Sequence, residues 1–216
     1  MKRQHKSTES AGEGRETEVR IIGGRFRASK LAYHGDPVTR PMKHRVREAI
    51  FNLIGTESEG RHALDLFAGT GALGLEALSR GATSALFIER HIPTARVVRE
   101  NIAHLGAGDD CTVLEASAFV WARRDLPDGA TVPDASCPWL VFVSPPYAFF
   151  VDRQQEMLDL ISSVLQHAPP KSTIVVEADE RFDFTLLPGP VKEHRSDDGW
   201  DVRTYAPAVV GVWRKE

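Results

Sequence analysis

Asp65-Leu-Phe-Ala-Gly-Thr-Gly-Ala-Leu-Gly74 is the stretch that decides the fold. Before it, His62-Ala-Leu-Asp-Leu-Phe67 predicts a buried strand, and after it Ala72–Arg80 predicts a helix stopped at Gly81. Gly69-Thr-Gly-Ala-Leu-Gly74 matches the G-x-G-x-x-G turn between a strand and a helix, and Glu89 closes the next strand near the spacing of a ribose-binding acid. That pattern alone leaves a dinucleotide open. Asp65 separates the candidates. A pyrophosphate needs bare backbone N–H groups at a helix N-terminus, and a carboxylate at the strand end repels it. S-adenosylmethionine instead brings an ammonium, a sulfonium and one carboxylate. The expected cofactor-binding set is therefore Asp65, Phe67, Ala68, Gly69, Thr70 and Gly71 in the turn, Glu89 and Arg90 after the second strand, and Ser117 and Ala118 near the adenine.

Working outward, strand and helix patterns alternate. Ser84–Glu89, Cys111–Leu114, Trp139–Val143, Thr173–Glu177 and Val209–Trp213 read as further strands. Pro93 opens a helix with Val98, Ile102 and Leu105 on one face, and helices are expected near 117–124 and 152–167. Asp125–Pro138, rich in Pro, Asp and Gly, reads as a loop. Such alternation predicts an α/β fold with a mostly parallel sheet and helices on both faces. No internal repeat is evident.

Val141-Phe-Val-Ser-Pro-Pro-Tyr147 is an apolar strand that stops at two prolines. It places Ser144 at the carboxyl end of a central strand, where open α/β sheets bind ligands. Each proline fixes its own φ, and Pro145 keeps Ser144 out of the helical region. The turn's carbonyls and Ser144 Oγ are then stiff acceptors, and Tyr147 offers a ring. An exocyclic base amine is a poor nucleophile because its lone pair is delocalised, and acceptors for its N–H groups localise that pair. Ser144, Pro145, Pro146 and Tyr147 are the expected catalytic residues.

Charge is divided unevenly. Residues 1–47 carry 12 Lys/Arg against 5 Asp/Glu, the remainder 15 against 25. A basic segment on an acidic body suits contact with a polyanion. Residues 1–17 are polar and expected to be disordered. Val19–Gly24 and Lys30–Tyr33 predict a hairpin, and Pro41 opens a helix with Val46, Ile50, Leu53 and Ile54 on one face. Arg25, Arg27, Lys30, Arg40, Lys43, Arg45 and Arg47 are the expected RNA-binding residues, as phosphate contacts. This organisation gives a tail over 1–17, a basic hairpin-helix extension over 18–58 and a catalytic domain over 59–216. Cys111 and Cys137 have no metal-type spacing, so reduced thiols and no metal are expected. No run of eighteen apolar residues occurs, and Met1–Lys6 lacks an apolar signal core, so a cytoplasmic monomer away from membranes is expected.

Four segments together resemble the bacterial 16S ribosomal RNA guanine-N2 methyltransferase family. They are Ile21-Ile-Gly-Gly-Arg-Phe-Arg-Ala-Ser-Lys-Leu31, Arg40–Asn52, Asp65–Arg80 and Val141–Tyr147. The resemblance spans residues 19–180. It implies a Rossmann-like class I methyltransferase with a seven-stranded sheet, a glycine loop for S-adenosylmethionine, a Pro-Pro turn for the target guanine, and small-subunit ribosomal RNA or a ribosomal particle as partner. This chain departs from the family at Ser144, where Asp is usual, and over 190–207. Two other readings follow from the same residues: an adenine-N6 nucleic-acid methyltransferase, and a weakly catalytic RNA-binding or assembly factor.

Overall fold

The structure, a computed structural model, describes residues 18–33, 44–132, 134–194 and 197–216. Seven strands form one sheet: β3 (His62–Asp65), β4 (Ser84–Ile88), β5 (Cys111–Leu114), β6 (Trp139–Val143), β7 (Thr173–Asp179), β8 (Asp201–Tyr205) and β9 (Ala208–Arg214). Their order is β5-β4-β3-β6-β7-β9-β8. The first five are parallel, while β9 runs antiparallel to both β7 and β8. The chain thus winds outward from β3 in one direction and then from β6 in the other. The crevice between these two strand ends is the topological switch point.

Both faces of the sheet are covered, and the strands record this as period-2 alternation. Ala63, Phe87, Leu140, Phe142 and Val175 point to one side, with Leu73, Leu75, Val98 and Ile102 of helices α2 (Ala72–Ser79) and α3 (Ile92–His104). Leu64, Ile88, Val141, Val143 and Ile174 point to the other, with Trp121 of α4 (Ala118–Arg123), Phe150 of α5 (Phe149–Asp152), and Met157, Ile161 and Val164 of α6 (Gln154–His167). No helix among the described residues is long and apolar enough to cross a membrane.

Two details were not read from the sequence. The helix expected near 152–167 is α6, and the four-residue α5 precedes it, separated by Arg153 at φ −135°, ψ 34°. Its guanidinium lies over the Phe119 ring at 4.0 Å and bonds Glu156. Residues 201–205, left without an element in the sequence reading, form the outermost strand. Only one of that strand's neighbours is a strand, and its residues are half-buried or exposed, so Asp201, Arg203 and Thr204 break the apolar pattern that marked the others.

The N-terminal segment forms the expected hairpin, β1 (Val19–Arg20) against β2 (Lys30–Leu31), and the helix α1 (His44–Ile54). The start proposed at Pro41 lies outside the described residues. Val19, Ile21, Leu31, Val46, Ile50 and Ile54 share the core of the α2–α3 face. Glu76, fully buried in α2, holds the segment in place. Its two oxygens accept the N–H groups of Ile22 at 2.7 Å and Gly23 at 2.8 Å, and Arg80 Nε donates to it at 2.8 Å. Arg47 Nε lies 3.9 Å away. Glu76→Ala removes the acceptor of two half-buried amides and the carboxylate beside a buried guanidinium. It should cost about 3–5 kcal/mol, read in urea as a lower midpoint with an unchanged m-value.

Candidate active site

Sequence builds the glycine turn from close approach. Gly71 takes φ +78°, and a Cβ on Gly74 would stand 2.4 Å from Phe87 Cε1 of the neighbouring strand. That contact lets α2 lie against β4 and aims the start of the helix at the strand ends. The turn is tied across the sheet by Ala68 N–H donating to the Ile88 carbonyl at 3.1 Å. Asn101 ties it from behind: its Nδ2 donates to the Thr70 carbonyl at 2.9 Å, and its Oδ1 accepts from Ala32 N–H at 2.6 Å. Asn101 was not among the expected site residues. Its signal is a polar residue beside Val98, Ile102 and Leu105 on an otherwise apolar helix face.

Asp65 ends β3 and is 1% exposed. Its Oδ2 accepts Gly74 N–H at 3.1 Å, whereas its Oδ1, also buried, has no partner among the described residues. Burial pushes its pKa up to about 7, against the Gly74 hydrogen bond and with a smaller push from Glu89. A buried carboxylate with one oxygen open is the complement of a cation. Glu89 follows β4, and its oxygens accept Gly69 N–H at 3.0 Å and His91 N–H at 2.8 Å. Each oxygen keeps a further lone pair for a hydroxyl donor.

Phe67, Glu89, Arg90, Ser117 and Ala118 line one cleft with Phe119 and Phe149. Ser117 caps α4 through its backbone: its carbonyl accepts Val120 and Trp121 N–H, and its side chain makes no cap bond. Phe67, Phe119 and Phe149 form a ring cluster with centroids 5.8–6.2 Å apart. The last two were missed, although each lies two residues beyond an expected site residue, Ser117 and Tyr147. The cleft offers an apolar wall and the Glu89 carboxylate, and the buried Asp65 carboxylate lies outside its lining, one residue before Leu66. An adenosine joined to an α-amino acid has matching groups.

The Ser-Pro-Pro-Tyr turn follows β6. Pro145 is buried and Pro146 exposed. The carbonyls of Pro146 and Tyr147 are not unpaired as expected; they accept Phe149 and Phe150 N–H and start α5. The turn's remaining acceptors are the carbonyls of Ser144 and Pro145 and the Ser144 hydroxyl. Tyr147 is half-buried, its ring packs against the core, and its hydroxyl donates to Glu177 Oε1 at 2.6 Å. Ser144 Oγ–H donates to Glu177 Oε2. Glu177, on β7 and 4% exposed, is the carboxylate that the sequence reading passed over. Its signal was the one used for Asp65, a charge at the carboxyl end of an apolar strand. Burial raises its pKa, and the hydrogen bonds from Ser144 and Tyr147 oppose that rise.

Among the expected RNA contacts, Arg25, Arg27, Lys30 and Arg45 are exposed. Arg25 pairs with Asp110 at 3.2 Å and Lys30 with Glu18 at 2.5 Å, both exposed and therefore weak pairs. Arg47 does not belong with them. It is 1% exposed and donates to the Arg20 carbonyl, so no phosphate reaches it. Next to Val46 and about one turn before Ile50 on α1, its position flanks the buried stripe rather than opposing it. Arg40 and Lys43 lie outside the described residues.

Residues 19–203 match the family described as conserved hypothetical protein 95. The chain belongs to that family. It is 38% identical over 130 residues to ribosomal RNA small subunit methyltransferase D of Escherichia coli, a match covering 60% of this chain and 61% of that protein. The Haemophilus influenzae protein of the same name is 31% identical over 164 residues, 76% of this chain and 80% of that one. The solved structure of the Escherichia coli protein yhhF superposes with a TM-score of 0.71 at 26% identity, covering 92% of this chain and 98% of that chain. The fold is the Rossmann-like class I methyltransferase architecture that the resemblance implied.

The Asp65 geometry carries a pH signature. A ligand ammonium requires Asp65 ionised, and the free carboxyl holds its proton up to about pH 7. Affinity for S-adenosylmethionine should fall roughly tenfold per unit as pH drops below that point, and fall again above the ligand's α-amino pKa of about 8. Calorimetry from pH 5 to 9 should show this bell, and Asp65→Asn should flatten its acid limb. In the free protein the sign reverses. Asp65 is protonated when folded and ionised when unfolded between about pH 4 and 7, so its contribution to stability declines as pH rises through that window.

Proposed function

We propose that this family member transfers a methyl group from S-adenosylmethionine to the exocyclic N2 of a guanine in small-subunit ribosomal RNA. The observation that carries the reading is the pairing, across adjacent strands β3 and β6, of Asp65 with its open Oδ1 and the Ser144-Pro-Pro-Tyr147 turn. One site suits an ammonium and the other an amine that must be held by its hydrogens. The names of the Escherichia coli and Haemophilus influenzae relatives support the choice of RNA. The protein acts in the cytoplasm, where its substrate is.

S-adenosylmethionine, when bound, supplies an electrophilic methyl on a sulfonium. This chain's residues supply position. Asp65 Oδ1 and the glycine turn hold the amino-acid end, while Glu89 accepts ribose hydroxyls and the Phe67–Phe119–Phe149 wall takes the adenine. Ser144 Oγ and the Ser144 and Pro145 carbonyls accept the N2 hydrogens and localise the nitrogen lone pair along the line of displacement. The exposed Arg25, Arg27, Lys30 and Arg45 contact phosphates and set affinity without reading sequence.

Purified protein, labelled methyl donor and small-subunit particles or their RNA should yield N2-methylguanosine on nucleoside analysis. N6-methyladenosine as the product would move the assignment to the other amine, and no label in any nucleic acid would sink methyl transfer to RNA. Arg27→Ala and Arg45→Ala should each reduce the slope of log affinity against log salt by about 1, with kcat on saturating RNA unchanged.

A further inference from the structure

Glu177 is a buried carboxylate without a cation. Both its oxygens accept hydroxyl groups, Oε2 from Ser144 and Oε1 from Tyr147 at 2.6 Å, and no ion pair reaches it among the described residues. Structural stability does not explain such a group, because burying an unpaired carboxylate costs more than two hydroxyl donors return. Sheet register explains why it sits there. Val143 pairs with Val176 across β6 and β7, so Ser144 and Glu177 are the next residues on neighbouring parallel strands. The Ser-Pro-Pro-Tyr turn is held at both ends, residue 144 and residue 147, by the same carboxylate.

A hydroxyl has one hydrogen and two lone pairs. In this structure the Ser144 hydrogen is committed to Glu177. Both lone pairs then remain for a donor arriving in the crevice, and the hydroxyl cannot turn its hydrogen toward the incoming nitrogen and engage the lone pair that must attack. The negative charge behind it makes the oxygen a stronger acceptor than a free serine, since hydrogen bonds in a chain polarise one another, strengthening each by about 10–30%. Tyr147, anchored by its hydroxyl, fixes the far end of the turn.

We propose that Glu177 is a positioning residue for methyl transfer, acting through Ser144 to make a neutral hydroxyl an acceptor backed by charge and to receive the proton the amine releases. The inference rests on the methyl-transfer reading above. The nitrogen lone pair forms the N–C bond as the C–S bond breaks and its electron pair returns to sulfur. The nitrogen then sheds one proton to Ser144 Oγ, whose own proton passes to Glu177. Burial favours the protonated carboxyl and so assists that last transfer.

The test is a double-mutant cycle on the full chain, with kcat and both KM values measured on small-subunit RNA or particles. Glu177→Gln keeps the shape and removes the charge. It should lower kcat by roughly 10²- to 10³-fold, with KM for S-adenosylmethionine and for RNA changed less than about threefold. Ser144→Ala should lose a similar factor, and the Ser144→Ala/Glu177→Gln pair should lose little more than either alone, because the two act as one unit. Ser144→Asp/Glu177→Gln moves the carboxylate to the turn itself and should recover most of kcat. Full activity of Glu177→Gln overturns the proposal, as does an additive double loss. If Glu177→Gln is poorly folded by thermal melt, the comparison of Ser144→Asp/Glu177→Gln with Ser144→Ala decides, since equal rates for those two also overturn it. A wild-type protein with no turnover instead removes the methyl-transfer reading and this inference together. A wild type that turns over beside an unaffected Glu177→Gln removes the inference alone.

Discussion

Where the N-terminal segment lies is decided by one carboxylate. Glu76 is in the middle of α2, the helix that begins at the glycine turn, and has no access to water. It is satisfied by the Ile22 and Gly23 amides and Arg80, with Arg47 beside it. A buried carboxylate has few ways to be content, and this one uses backbone that only the extension can bring. The rest follows from that demand. Once Ile22 and Gly23 are fixed, Arg25 and Phe26 N–H reach the Ser79 carbonyl and hydroxyl, and Ala32 reaches Asn101. Asn101 in turn holds Thr70 in the glycine turn. The basic segment and the glycine turn are two ends of one hydrogen-bonded path.

The three central strands end in a graded set of oxygens. Asp65 closes β3, Ser144 follows β6, and Glu177 lies in β7. Desolvation lifts both carboxyls, yet they are dressed differently. Asp65 has one backbone donor and one open oxygen, so it has room for a cation. Glu177 has two hydroxyl donors, so both its oxygens are occupied by neighbours. Two carboxylates near the carboxyl ends of central strands differ because of what lies one strand away.

Much of this was legible in the sequence. The central strands and the glycine turn announce themselves because burial on both faces leaves unbroken apolar runs, and because Gly71 and Gly74 answer needs of geometry that other residues cannot meet. Asp65 and Glu89 are visible as charges at the ends of such runs. What stayed hidden depends on contacts distant in the chain. Glu177 reads as an ordinary strand terminus until register places it beside Ser144, 33 residues earlier. Arg47 reads as surface charge within a basic run, and only the fold turns it inward to Glu76. Asp201–Tyr205 carries no apolar pattern because an outermost strand has no need of one. The short α5 ahead of α6 is hidden likewise, and Arg153 between them lies over Phe119 and Phe149, both outside the expected site.

The path through Glu76 and Asn101 also sets an order of events during synthesis. Ile22 must wait for a residue 54 positions later, and Ala32 for one 69 positions later. The β1–β2 hairpin can close early, but it has nothing to dock against until α2 and α3 have followed it out of the ribosome. Its arginines and lysines face the surrounding nucleic acid for all of that time, and the loop closures that dock the segment are slow ones because they span so much chain. A nascent chain of this protein thus presents a cationic segment before it presents a folded domain. Its yield should depend on how quickly residues 70–101 follow the first fifty.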